Sequence, residues 1–517
     1  MFRLPEFDIA GRLSRIVVTS TGFYGLLGTL VLGHFLFRGL LYPGAPGDDA
    51  EQLLFSQVFR WGYDIVNPPL YTWLLIAAQK VTGVTVWSVS LIKFPAYWLI
   101  FHFLYQLARQ AIDRPGLAGA AALSPLWLYY VAWDAVQTYS QTVLATALIV
   151  ALITAMMRLR TAGTLLAYIL FGTVLGLGLL SKYTFGLTAV ALLLAGLIYP
   201  PYRSCVLNIR MLAALVVAAI LFAPHGFWLL HHADVIAGAV AGKFEMGEAA
   251  EIPGDRLTGM INLIISAFNF ASPLWLVLLL FFWRPLRSRW HRHETIAPEI
   301  KLLTLFNLAA LGLLVLFVLV FEASQIRTHY MFVFITFPLV VFGWIKADLT
   351  TGGGLRAYRI SLIVMALLLV TGGAVKYLTE PLRCKRCQLL LPSSDIADRI
   401  RETGFTGGTI FAYYFPHDLA GNLRSVFPNT RIVSSKYPDI TRPISEKPGQ
   451  CLIIWMPAPA GVMDAHGMAQ LANNELAADI PLKDFPVQSL PFRFDRTTDR
   501  LDKLNYMLFQ PGRGTCR

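Results

Sequence analysis

Stretches of about twenty consecutive apolar residues recur along the chain, and they restrict its fold more than any other feature. A helix needs that length to cross a hydrocarbon core of about 30 Å. Of the 517 residues, 56% are hydrophobic and only 14% are charged, against about 25% charged in soluble proteins. This composition excludes an ordinary soluble enzyme, a disordered chain and a small disulfide scaffold. The sequence predicts eleven membrane-spanning helices, at about 20–41, 86–108, 116–133, 137–157, 163–181, 184–201, 211–230, 259–283, 302–321, 330–346 and 358–376.

The basic residues favour one orientation of these helices. With the N-terminus in the cytoplasm, the cytoplasmic segments carry 17 Lys and Arg residues, and the opposite face carries 8 up to the last span. This bias follows the positive-inside rule. We therefore predict a cytoplasmic N-terminus and, after an odd number of spans, a C-terminus on the outer face. The basic residues form no stripe, so no nucleic-acid partner is predicted.

The composition changes near residue 377. Short β-rich segments at 408–414, 431–434 and 451–456 alternate with stretches of helical pattern, such as 394–403 and 464–478. This alternation is typical of a small α/β domain. We predict a membrane domain over residues 1–376 and an α/β domain over residues 377–517 on the outer face.

Four of the five cysteines fall in this outer domain. An even number on the oxidising side predicts two disulfides with an open pairing, and a metal site is the alternative for the two that are three residues apart. The disulfide candidates are Cys384, Cys387, Cys451 and Cys516.

The loop after the first span contains two amphipathic runs that are too short to span a membrane. Gly-Asp-Asp-Ala at 47–50 begins the first run, and Asn-Pro-Pro-Leu-Tyr-Thr-Trp at 67–73 begins the second. We predict two helices that lie in the membrane interface.

Asp48 and Asp49 at the start of the first run have two interpretations. Asp is a favoured helix N-cap, and its charge suits the helix N-terminus. Alternatively, a carboxylate at the membrane surface can act as a general base or bind a metal ion. Adjacent carboxylates repel each other and raise the pKa of one of them, which suits a base. The two interpretations are compatible if Asp49 caps the helix and Asp48 is the base.

These motifs resemble the bacterial branch of the protein-mannosyltransferase-like glycosyltransferases with the GT-C fold. The branch includes the lipid A aminoarabinose transferase and the rhizobial galacturonosyl transferases. Gly-Leu-Leu-Ser-Lys-Tyr at 178–183 and the segment 225–234 are also similar to it. The resemblance covers spans one to ten in order. It implies a polytopic inner-membrane protein of the GT-C type with a periplasmic C-terminal domain.

The resemblance also implies a reaction. The acceptor hydroxyl attacks the anomeric carbon of a polyprenyl-phosphate sugar, and the lipid phosphate leaves with inversion. Asp48 matches the catalytic Asp of the family, with Asp49 as a helper or a ligand for a divalent cation. The family often has Lys before the Pro-Pro pair, where this chain has Asn67. This difference favours the rhizobial branch, and hence galacturonic acid as the sugar and lipid A or the lipopolysaccharide core as the acceptor.

Several residues on the outer face are candidates for binding the donor phosphate or an acidic sugar. Each cation also has a structural interpretation, because Lys182 and Lys93 can extend to the interface and Arg327 can pair with Glu322. Arg suits bidentate recognition of phosphate or carboxylate. The candidates are Lys182, Tyr183, Arg327, His329, Lys93 and Asn67.

Two further groups have open roles. Asp134, between spans three and four, is a candidate for contact with a metal ion or the acceptor, and a helix cap is an equal alternative. His225, His231 and His232, with Glu245 and Glu248 further on, could in principle bind zinc. The clustered histidines lack a third ligand at fixed spacing, so an interfacial loop is favoured.

Other functions remain open from the sequence alone. A protein O-glycosyltransferase would use the same donor with a protein acceptor. A lipid flippase or transporter usually has paired internal repeats, and none is visible here. A scaffold would leave Asp48, Asp49 and Lys182 without a role.

Overall fold

The computed structural model describes residues 9–63, 67–233, 238, 242, 244, 255–288, 296–345, 349, 353–383, 387–414, 419–457, 464–481, 487–493 and 501–517. Within these ranges the chain forms a helical membrane domain and a smaller α/β domain, as the composition predicts. The membrane domain is built around one large apolar core that includes Leu27, Phe101, Leu152 and Phe306.

Six helices of the described part are long and apolar enough to cross a membrane, or up to eight if each of two bent pairs forms one span. All six coincide with predicted spans. They are Ser20–Leu41, Val86–Ala111, Gln141–Ala162, Arg210–Leu230, Pro298–Phe321 and the segment Gly354–Lys376.

The other five predicted spans are helical but short or broken, so the prediction of eleven continuous spans is too simple. Tyr199 separates Phe185–Ile198 from Pro200–Val206, and the axis bends there by 119°. Ser272 and Pro273 similarly interrupt the segment predicted at 259–283. Proline cannot donate the backbone hydrogen bond that a continuous helix needs.

The remaining helices are shorter than the six long ones. One of them, Leu165–Leu179, has only 15 residues. The others are Ile9–Ile16, Gly47–Phe55, Leu70–Thr82, Pro115–Leu123, Arg256–Ala271, Leu274–Ser288, Phe337–Ile345, Ser393–Glu402, Leu419–Val426 and Ala465–Leu476. Tighter or irregular turns lie at Ser124–Trp127, Tyr130–Asp134, Ala135–Gln137, Thr328–Phe334 and Gln388–Leu390.

Both helices predicted in the first outer loop are present. We call Gly47–Phe55 loop helix 1 and Leu70–Thr82 loop helix 2. The buried Thr72 hydroxyl donates to Gln52 Oε1 at 2.7 Å and links the two helices. The backbone N–H of Leu70 donates to Leu180 O at 3.0 Å, which joins the Pro-Pro motif to the 178–183 motif.

The outer domain contains a five-stranded mixed sheet of order β2-β1-β3-β5-β4. β1 pairs in parallel with β2 and β3, while β5 is antiparallel to β3 and β4. The first three strands match the prediction, and the last two were not predicted. The strands are β1 Gly408–Ala412, β2 Arg431–Ser434, β3 Gln450–Trp455, β4 Gln488–Arg493 and β5 Leu501–Phe509.

Three of the four cysteines predicted to form disulfides in the outer domain are disulfide-bonded. Cys451 and Cys516 form a disulfide, and Cys387 is also disulfide-bonded. Cys384 lies outside the described residues. The last long helix passes the boundary expected at 376 and ends at Arg383.

Loop helix 1 packs between the membrane domain and the outer domain. The Asn422 side chain bonds both backbone groups of Ala45, at 2.7 and 2.9 Å. Gly421 lies so close that a Cβ added there would be 1.8 Å from Ala50 O. Farther along the loop, Gln57 Nε2 donates to the carbonyls of Ile432 and Ile440. The outer domain therefore holds the segment that carries Asp48 and Asp49.

Candidate active site

Asp48 and Asp49 lie in the first turn of loop helix 1, but neither is its N-cap. The cap residue is Pro46, which has no side-chain capping bond. The two carboxylates still benefit from the partial positive charge of the helix N-terminus. Because they do not cap the helix, both side chains are available for other contacts.

Asp49 belongs to a buried ion cluster. Lys93 Nζ is 2.6 Å from Asp49 Oδ1, Arg38 Nη2 is 3.6 Å from Asp49 Oδ2, and the Ser140 hydroxyl donates to Oδ1. Asp49 and Lys93 are each only 2% exposed. These contacts pair Asp49 with Lys93, and contact of Lys93 with the donor stays a prediction.

Arg38 was not predicted as a partner of Asp49. The sequence does contain an indication of this contact, because Arg38 lies in the last turn of an apolar span. A charged residue in such a position usually needs a partner. Ser140, which precedes the helix Gln141–Ala162, was also missed.

Asp48 is half-buried and has a different environment. The backbone N–H of Ser140 donates to Asp48 Oδ2 at 3.3 Å. Burial, the neighbouring charge of Glu51 and, less, that of Asp49 raise the pKa of Asp48 to about 6, although Lys182 and Lys93 oppose this shift. Above that pH the side chain is a carboxylate, and its raised pKa makes it a competent base near neutrality.

Glu51 connects Asp48 to the outer domain. Lys436 Nζ lies 3.2 Å from Glu51 Oε1, and the Tyr437 hydroxyl donates to the same oxygen. Both partners directly follow β2. No local sequence pattern predicts this contact, because its residues are more than 380 positions apart.

Lys182 approaches the same region from another element. Its buried Nζ donates to the Thr142 hydroxyl at 2.7 Å. Ser140 and Thr142 flank the start of the helix Gln141–Ala162, so Asp48 and Lys182 meet at one helix N-terminus. Such a terminus attracts anions.

A cavity of about 420 Å³, which we call the central cavity, adjoins Lys182. Apolar side chains such as Leu187 and Phe317 form most of its wall, and its polar lining includes Thr142, Tyr183 and His329. An apolar groove of about 300 Å³ shares Leu187 and Phe317 with it and continues along Leu313 and Val320. This arrangement suits a ligand with a long apolar chain and a polar head.

The histidines near 225 make hydrogen bonds within the protein. The buried His225 bonds the Tyr183 hydroxyl at 3.0 Å and Trp61 O at 2.8 Å. His231 and His232 each bond a carbonyl one turn earlier in their own helix segment. The residues that the structure describes contain no group of three His, Cys, Asp or Glu side chains that could hold a metal ion.

The donor set around Asp48 also does not fit a divalent cation. Oδ1 of Asp49 already accepts from Lys93 and Ser140, and Glu51 bonds Lys436 and Tyr437. We therefore derive no step through a metal ion.

The remaining candidates occupy the edge of this region. Arg327 is exposed, and Glu322 pairs with Arg256 at 2.7 Å rather than with Arg327. The ring of His329 contacts Tyr139, with centroids 5.9 Å apart. Asn67 is half-buried directly before the Pro-Pro pair.

Asp134 lies away from the central cavity lining, in the turn Tyr130–Asp134. Burial raises the pKa of Asp134, while a hydrogen bond from Tyr129 and the charge of Lys376 oppose this shift. Nothing in this geometry assigns it to a metal ion, and contact with the acceptor stays a prediction.

Comparison with solved structures defines the class of the protein. The chain superposes on ArnT from Cupriavidus metallidurans bound to undecaprenyl phosphate with a TM-score of 0.61 and 12% identity, over 94% of this chain and 98% of that one. This likeness confirms the GT-C fold, in which a multi-helix membrane domain carries a C-terminal domain. The protein is a multi-pass membrane protein with the GT-C fold.

Sequence comparison finds one family match and two similar proteins over most of the chain. Residues 66–228 match the family described as dolichyl-phosphate-mannose-protein mannosyltransferase. The lipopolysaccharide core galacturonosyltransferases RgtA and RgtB of Rhizobium johnstonii are 27% and 26% identical, over 94% and 90% of this chain and 97% and 93% of their own lengths. The chain is a polyprenyl-phosphate-sugar-dependent glycosyltransferase with the GT-C fold, and its residues 66–228 are similar to the protein-mannosyltransferase family.

Proposed function

We propose that this enzyme transfers galacturonic acid from a polyprenyl-phosphate carrier to lipid A or the lipopolysaccharide core on the periplasmic face. The observation that carries the proposal is the meeting of Asp48 and Lys182 at one helix N-terminus, beside the central cavity. A base and a phosphate-binding cation are the two groups that this transfer requires.

The central cavity suits the donor. Isoprenyl units are apolar and fit the wall that includes Leu187 and Phe317 and the groove that continues it. The phosphate would lie at the polar lining, within reach of Lys182, Tyr183 and His329. Lys182 and the helix N-terminus at 140–142 would stabilise its negative charge.

The reaction follows from this placement. Asp48 takes the proton of the acceptor hydroxyl as its oxygen attacks the anomeric carbon. The bond from that carbon to the phosphate oxygen breaks, and the lipid phosphate leaves with the electron pair. Lys182 stabilises the charge that develops on it, and the attack from the opposite side inverts the anomeric centre.

The choice of sugar and acceptor is supported by sequence. RgtA and RgtB are lipopolysaccharide core galacturonosyltransferases that align with nearly the whole chain. The exposed Arg327, which is not engaged by Glu322, is a candidate partner for the sugar carboxylate.

The location is part of the same proposal. The distribution of basic residues favours a cytoplasmic N-terminus in the inner membrane and a periplasmic outer domain. Lipid A and the core would then reach the active site from the periplasmic leaflet.

A protein acceptor is the second candidate, and the match of residues 66–228 to a protein mannosyltransferase family favours it. Both candidates use the same donor chemistry, so only the acceptor separates them.

The test is transfer by the purified protein in nanodiscs. A panel of polyprenyl-phosphate sugars is offered with lipid A, lipopolysaccharide core and unfolded protein as acceptors. We expect label from the galacturonic acid donor in the lipopolysaccharide fraction. Label in protein would support the second candidate, and transfer of another sugar would refute the choice of galacturonic acid.

A further inference from the structure

The outer domain contains a cavity that shares no lining residue with the central cavity. This cavity, which we call the basic cleft, has a volume of about 700 Å³ and lies where β1, β2 and β3 begin. Its basic lining residues are Arg431, Arg442, Lys447 and Arg517, and its described lining includes no Asp or Glu side chain.

Arg431 and Arg442 form no ion pair with an Asp or Glu side chain among the described residues. Arg431 donates to the carbonyls of Arg442 and Thr515, at 3.1 and 2.7 Å. Arg442 donates to the carbonyls of Gln57 and Asn429, at 3.4 and 3.0 Å. Neutral carbonyls orient these guanidinium groups but leave their charge uncompensated.

Arg424 adds a further positive charge near Arg442, outside the cleft lining. It is 3% exposed, and its Nε has no hydrogen-bond partner in the part of the chain that the structure describes. Burial and the charge of Arg442 lower the pKa of Arg424 to about 10. Buried cations without counterions are costly unless a ligand supplies the opposite charge.

We propose that the basic cleft binds the phosphate or carboxylate groups of a saccharide. Arginine recognises both groups through paired N–H donors, and an open polar cleft of this volume can admit a sugar residue. The shared chemistry is an oxyanion, which free phosphate also provides.

The cleft is connected to the catalytic loop through Gln57, two residues after loop helix 1. Gln57 accepts from Arg442 through its carbonyl and bonds β2 through its side chain. If the proposed function holds, the natural ligand is the anionic part of the acceptor, docked on the outer domain while its hydroxyl approaches Asp48. This role rests on the proposed function, whereas oxyanion binding does not.

Calorimetry on the full-length protein in nanodiscs tests the binding directly. The probes are inorganic phosphate, a delipidated core oligosaccharide that carries phosphate and carboxylate groups, and a neutral oligosaccharide of equal length. We expect the charged oligosaccharide to bind at least about tenfold more tightly than the neutral one. Equal affinity of the two would overturn the proposal.

Variants locate the site. Arg442→Gln with Lys447→Gln should weaken binding of the charged oligosaccharide about tenfold, while Lys447→Arg, which keeps the charge and adds paired donors, should retain it. Arg399→Gln with Lys503→Gln removes the same charge from exposed positions outside the cleft and should leave binding unchanged. Equal weakening by both charge-removing pairs would contradict a specific site.

The same titrations distinguish a saccharide ligand from free phosphate. Tighter binding of the charged oligosaccharide than of phosphate identifies a saccharide ligand, whereas equal binding identifies free phosphate. A failure of sugar transfer would not affect these titrations, so the two proposals fail separately. If both proposals hold, the double variant Arg442→Gln with Lys447→Gln should have a higher KM for the acceptor and an unchanged KM for the donor.

Discussion

At the scale of single residues, Asp48 and Asp49 are adjacent and chemically identical but have different environments. Asp49 is buried against Lys93, Arg38 and Ser140. Asp48 accepts one backbone hydrogen bond and lies near the charge of Lys182. The contacts of Asp49 suit a structural anion, and those of Asp48 suit a base.

The pKa of Asp48 predicts the pH dependence of transfer. A base must be deprotonated, so kcat/KM should fall as the pH drops through about 6. Because Glu51 raises this pKa, Glu51→Gln should move the acidic limb to lower pH. Profiles of kcat/KM against pH, measured between pH 4.5 and 8, test both effects because they extend on the order of two pH units to either side of this pKa.

Lys182 provides the opposite shift. Its charge lowers the pKa of Asp48, so Lys182→Gln should move the acidic limb of the residual activity upward. If neither substitution moves the limb, a group other than Asp48 controls it.

The ion cluster predicts a loss of stability when one partner is removed. Asp49→Asn leaves Lys93 and Arg38 buried without a counterion and should cost about 3–5 kcal/mol. Asp49→Asn combined with Lys93→Met should recover part of that loss. Thermal unfolding in nanodiscs measures the stability of both variants. An Asp49→Asn variant as stable as the wild type would contradict the structural role of Asp49.

At the scale of elements, loop helix 1 is shared by the two domains. The helix Leu419–Val426 packs against it through Gly421 and Asn422. Since loop helix 1 carries Asp48, the outer domain has a direct influence on the geometry of the candidate base.

Asn422 tests this coupling. Asn422→Ala removes both hydrogen bonds to Ala45 and should lower kcat about tenfold, because loop helix 1 loses an anchor. Asn473 is a matched control, since its side chain bonds both backbone groups of Ile480 within the outer domain. Asn473→Ala should destabilise the domain with little loss of kcat, and equal losses in the two variants would refute the coupling.

The elements differ in how well the sequence predicted them. Apolar length identified the six long helices, and two amphipathic runs too short to span a membrane identified both loop helices. Breaks at Tyr199 and at Ser272-Pro273 were missed because hydropathy averages over them. β4 was missed because it contains Pro491 and mostly exposed residues.

At the scale of the whole molecule, the site combines segments from distant parts of the chain. The sequence predicted that Asp48 and Lys182 face the same side, because topology requires it. It did not predict that Lys93 pairs with Asp49, or that Lys436 and Tyr437 reach Glu51. Such pairings depend on packing between elements, which no local pattern encodes.

The proposed orientation gives a further prediction. In spheroplasts, a membrane-impermeant maleimide should label Arg399→Cys in the outer domain and not Arg158→Cys at the opposite face. Both positions are exposed, and the native Cys205 is buried. The reverse pattern would invert the topology, and lysed spheroplasts control for reactivity.

The most direct test of the central claim compares transfer by Asp48→Asn with transfer by the wild type at saturating donor. Asp398→Asn, an exposed carboxylate in the outer domain, serves as the matched control. We predict that Asp48→Asn lowers kcat by about 10²–10⁴-fold with unchanged thermal stability, while Asp398→Asn keeps full activity. Turnover by a folded Asp48→Asn variant within about twofold of the wild type would contradict Asp48 as the base, since loss of a general base costs far more.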